Sequence, residues 1–66
     1  MEFSKEDLTE AKRQIDSTLH KLRETIRTLQ EKERPERNKS QITLAERRIK
    51  AFEIASQLIE EKLTQL

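Results

Sequence analysis

Apolar residues recur along this chain at alternating intervals of four and three. Ile15, Leu19, Leu22, Ile26 and Leu29 form one such series, with Leu8 seven residues before Ile15. This spacing keeps the side chains on one helical face and is the pattern of helices packed at a shallow left-handed angle. Lys12 stands where the series would place a leucine, with Ala11 beside it. Its methylene stem can cover apolar surface while the ammonium reaches water. A second, cleaner series runs Ile42, Ala45, Ile49, Phe52, Ser56, Ile59, Leu63 and Leu66. From Glu31 to Lys39 the only apolar residue is Pro35, which disfavours α geometry at Arg34.

The two series predict an all-α fold: an antiparallel, coiled-coil-like two-helix hairpin forming one domain over residues 1–66. Helix 1 is expected over about 4–31, the tip over about 32–38 and helix 2 over about 39–65. Folding the chain back pairs positions whose numbers sum to about 71. Leu29 then meets Ile42, Ile26 meets Ala45, and Leu22 meets Ile49. Further from the tip, Leu19 meets Phe52, Ile15 meets Ser56 and Leu8 meets Leu63. A single uninterrupted helix is opposed by Pro35, which would break it near its middle.

The start of helix 1 is written residue by residue. Ser4 can cap with its hydroxyl on the Asp7 amide, and Asp7 can answer on the Ser4 amide, an Asp version of the capping box. Phe3 and Leu8 are spaced as a hydrophobic staple, and Glu6, Asp7 and Glu10 suit the positive end of the helix dipole. Helix 2 has three candidate starts: Pro35 in the first turn, or Asn38 or Ser40 as cap.

Helix 2 carries a second apolar stripe that one partner helix cannot cover. Leu44, Ala51, Ala55 and Leu58 lie about 100° or more from the first seam, with Ile54 at their edge. Isolated surface leucines are ordinary, but a contiguous patch on so small a protein marks an interface. The predicted interface is Leu44, Arg48, Ala51, Ile54, Ala55 and Leu58, with the Arg48 guanidinium between the stripes and paired to a carboxylate of another copy. A second copy is the simplest partner and gives a four-helix bundle with helix 2 central. Sixty-six residues also sit near the lower limit for a core that stands alone. A different, unidentified protein partner is the other way to cover the stripe.

Composition changes this picture little. Charged residues make up 41% of the chain and apolar ones 32%, yet 14 basic residues balance 13 acidic ones, so the high net charge of a disordered segment is missing. With no Gly and one Pro, the usage is that of long helices. No cysteine means no disulfide and no thiolate metal site. No apolar run reaches the roughly 18–20 residues of a membrane span, and acids near the N-terminus oppose a signal peptide. A cytoplasmic protein, with no membrane association, is expected. Residues 11–50 hold 12 Lys/Arg and 6 Asp/Glu, whereas the two ends hold 2 and 7. The hairpin therefore has a basic tip and an acidic open end, which favours two copies lying side by side in opposite directions.

No convergent catalytic set is visible, and the expectation is a non-enzyme without a cofactor. His20 is the only histidine, set beside the seam toward the polar side. With Asp16 and Glu24 four residues away on either side, it makes at best one loose metal site. Without glycine there is no phosphate-cradling loop. Arg34, Arg37, Lys39, Arg47 and Lys50 are candidate phosphate contacts for an accessory nucleic-acid- or ribosome-associated role. Interleaved Glu31, Glu33, Glu36 and Glu46 and the lack of Tyr and Trp weigh against nucleic acid, and i,i+4 ion pairs explain the same residues.

Two resemblances bear on this. A seam with interspersed Arg and Lys is similar to that of the all-helical chorismate mutases, but their third helix and catalytic motif are missing. The segments QIDSTLHKLRETI (14–26) and SQITLAERRIKAFEIASQLIEE (40–61) resemble short uncharacterised helical proteins of low-GC Gram-positive bacteria. That group has no assigned function. The resemblance implies a bacterial cytoplasmic origin and carries over no site residue. The function expected from the residues themselves is a small, self-associating protein-interaction module.

Overall fold

The structure, a computed structural model, describes residues 2–31 and 38–66. It consists of two helices, α1 (Lys5–Glu31) and α2 (Lys39–Thr64), packed along their length into a hairpin. Contacts between them fix the direction. As the α1 residue advances from Lys12 through Asp16 and Arg23 to Leu29, its partner retreats from Glu60 through Ser56 and Glu53 to Asn38. The helices are antiparallel, and the result is a rod of 48 × 17 × 15 Å, only two helices wide.

The first helix begins with the capping box. The Asp7 amide donates to Ser4 Oγ at 3.0 Å, and the Ser4 amide donates to Asp7 Oδ2 at 3.1 Å. Two of the amides that a helix start leaves without partners are thereby satisfied. Phe3 and Leu8 line one concavity with Ala11 and Ile59, and Phe3 remains half exposed.

The start of α2 differs from the expected caps. Asn38 immediately precedes the helix, but its side chain makes no capping bond. Its Nδ2 instead donates to the Leu29 carbonyl across the hairpin at 3.4 Å, satisfying an acceptor at the end of α1. Ser40 lies inside the first turn rather than at the cap position, and Pro35 falls outside the described residues. The first turn of α2 also lacks an acidic residue.

The core is thin. Leu8, Leu19 and Leu29 of α1 and Ala45 and Ser56 of α2 are the buried positions among the described residues. Ile15, Leu22, Ile26, Ile42, Ile49, Phe52, Ile59 and Leu63 are half-buried. All belong to the two seams read from the sequence. Leu66, the last member of the second series, lies past the end of α2 and is exposed. Even Leu19, the most buried, retains 4% of its accessible surface. Two helices leave every seam residue close to an open edge, so no layer is sealed on all sides.

Candidate interaction surface

The two edges of the seam are chemically different. On one, the polar residues Lys12 and Ser56 that interrupt the two series come together. Lys12 Nζ donates to Ser56 Oγ at 3.0 Å and to Asp16 Oδ2 at 3.1 Å, and Ser56 Oγ donates to Asp16 Oδ1 at 2.8 Å. Glu60 approaches the same ammonium at 4.0 Å. Two turns further on, Arg23 pairs with Glu53 across the hairpin at 3.0 Å. These bridges close one flank with charge.

Lys12 therefore does more than snorkel to water. Its ammonium is held by three groups, two of them on α2. The Ser56 hydrogen bond, then that of Lys12, hold the Asp16 carboxyl below its usual range, against the opposing effect of burial. Ser56 is buried, yet its hydroxyl both donates and accepts, and no buried side-chain polar atom among the described residues lacks a partner. The trio sets a serine beside a lysine, and both donate to the same carboxylate. Its chemistry is that of a closed polar layer within an apolar seam.

The other flank carries no ion pair or side-chain hydrogen bond between α1 and α2 among the described residues. At 100° per residue, α1 presents Ala11, Thr18 and Thr25 there, and α2 presents Ala55 and then Ala51, Leu44 and Leu58. The two threonine hydroxyls donate to carbonyls of their own helix, Thr18 to Gln14 at 3.0 Å and Thr25 to Lys21 at 2.9 Å. Their hydroxyl protons are satisfied without water. Apart from Arg48 and Lys62 on α2, the flank is small and mostly apolar, and it is uncovered in the single chain.

The residues singled out for an interface fall as follows. Leu44, Ile54 and Leu58 are 48%, 51% and 59% exposed. Ala51 and Arg48 are exposed as well, and Ala55 is half-buried where the stripe meets the seam. Arg48 joins none of the ion pairs formed among the described residues. Of the candidate phosphate contacts, Arg34 and Arg37 lie outside the described residues. Lys39, Arg47 and Lys50 are exposed on α2. His20 is exposed too, and Asp16 is engaged by Ser56 and Lys12, so the loose histidine–carboxylate pair is not drawn together. No group of His, Asp and Glu suited to a metal ion occurs among the described residues. No described helix is long and apolar enough to cross a membrane.

The sequence reading missed the Lys12–Asp16–Ser56 layer, pairing Ser56 with Ile15. A signal was present: Lys12 and Ser56 are polar interruptions on opposite helices, less than one turn from the expected register. No family model, curated protein or solved structure matches this chain.

Proposed function

We propose that this hairpin is a small self-associating interaction module whose second copy covers the α2 stripe and completes a four-helix bundle. The observation that carries the reading is the half exposure of Leu44 and Leu58 along a flank without cross-helix polar bonds, with the half-exposed Ile54 at its outer edge. A patch of that kind on a rod with so thin a core is the surface most favoured to leave water. A second hairpin would add apolar neighbours to the same seam without any new sequence. The expected products are a non-enzymatic dimer and a scaffold on which other proteins can dock.

Light scattering across a range of chain concentrations tests it, with Leu58→Glu as the perturbed variant. The parent should show twice the chain mass, and Leu58→Glu should shift toward the monomer because dimerisation would bury an unpaired carboxylate. Ser17→Glu is the control: the new acid lies on the exposed back of α1, four residues from both Arg13 and Lys21. A parent that stays monomeric at every concentration would refute self-association. If the complex instead forms only with RNA and weakens steeply with salt, the basic residues of α2 are the working surface.

A further inference from the structure

The spacing of the α2 stripe carries more than the existence of a partner. Leu44 and Leu58 each lie seven residues from Ala51, one on either side, and all three share one helical face. Read from either end, the stripe is large–small–large. A two-fold interface must be self-complementary, residue i meeting residue j while j meets i. An α2 helix laid antiparallel on its copy, with the axis passing at Ala51, satisfies that condition. Ala51 then faces its own copy, and each Leu44 faces the Leu58 of the other chain.

Charge selects the same direction. The half of α2 from Lys39 to Lys50 holds Lys39, Arg47, Arg48 and Lys50 against Glu46, net +3. The half from Ala51 to Thr64 holds Glu53, Glu60 and Glu61 against Lys62, but Glu53 and Glu60 are bridged to Arg23 and Lys12 on the opposite flank. The charge that sets direction is that of the whole hairpin, with 12 Lys/Arg and 6 Asp/Glu in residues 11–50 and 2 and 7 at the two ends. A parallel pairing sets like halves together, whereas the antiparallel pairing sets each basic half against an acidic one. Ala51 and the adjoining Ala55 leave room at the crossing for the backbones to approach, while the leucines pack on either side of it.

We infer that the second copy docks antiparallel, α2 on α2, about a two-fold axis at Ala51. This rests on the self-association proposed above. The chain has no cysteine, so single cysteines report the geometry without background. Ala51→Cys, Leu44→Cys and Leu58→Cys are oxidised in the full chain, with light scattering on the same reduced samples. In the antiparallel dimer the two copies of position 44 are separated by about 21 Å along the axis, beyond the roughly 7 Å Cα span of a disulfide. Ala51→Cys alone should cross-link, Leu44→Cys and Leu58→Cys alone should do so at least tenfold more slowly, and their mixture should give the mixed dimer. Rapid cross-linking of Leu44→Cys and of Leu58→Cys each alone would overturn the antiparallel assignment. A dimeric mass with no cross-link at any of the three positions would overturn the face while self-association stood. A monomeric mass would remove both.

Discussion

Ser56 shows how one hydroxyl can be tolerated in an apolar seam. Its oxygen accepts from Lys12 and its proton goes to Asp16, so neither lone pair nor proton is stranded. Because Asp16 is lowered by these bonds, the sign of its pH dependence follows. Its stabilising contribution is complete above the ordinary aspartate value of about 3.9 and is lost as pH falls through the lower folded value. The melting temperature of the parent should exceed that of Asp16→Asn near neutrality, and the difference should close in strong acid. A gap independent of pH would mean that charge on Asp16 contributes nothing. At the other end of α1, Ser4→Ala removes an acceptor that holds the Asp7 amide and should cost about 0.5–2 kcal/mol in chemical denaturation. An unchanged midpoint would show that the first turn frays in solution.

At the scale of the helices, what could be read in advance was whatever had a local physical cause. The capping box needs only four consecutive residues, and both its bonds form. The four–three spacing of Leu19, Leu22, Ile26 and Leu29 is likewise set within one helix, and it names the buried edge. The α2 start was less legible because Asn38 has two uses, and the long-range one, bonding to Leu29, displaces the cap. The polar layer was missed for a related reason. A lysine in a seam is explained by its own stem alone, so nothing local demands a serine across the hairpin. The register that the layer now fixes suggests a test. Replacing Lys12→Leu together with Ser56→Ala fills the seam and should leave thermal stability equal or higher, since an apolar layer avoids desolvating an ammonium. Leu19→Ala, at the most buried position, should cost about 2–5 kcal/mol. If the double variant instead falls as far as Leu19→Ala, the polar layer stabilises the hairpin outright rather than setting its register.

The whole molecule is asymmetric across its seam. One flank is closed by Lys12, Asp16, Ser56 and the Arg23–Glu53 pair, and the other exposes the apolar stripe of α2. Exposed ion pairs such as Arg23–Glu53 contribute little, typically under about 1 kcal/mol, so they cannot make up for a core in which no side chain among the described residues is fully buried. If the missing burial comes from a second copy, folding and association are one equilibrium, and mass action must appear in the melt. Unfolding a dimer of 66-residue chains carries an entropy of roughly 0.28 kcal/mol/K at typical per-residue values. A tenfold rise in chain concentration is worth about 1.4 kcal/mol, which raises the melting temperature by about 5 °C. Circular dichroism melts at three concentrations spanning two decades should therefore shift by about 10 °C for the parent. Leu58→Glu, by opposing the contact, should melt lower and with a much weaker dependence. A parent melting temperature that does not move over those two decades would mean that the two helices are stable alone, leaving the stripe for a different protein to cover.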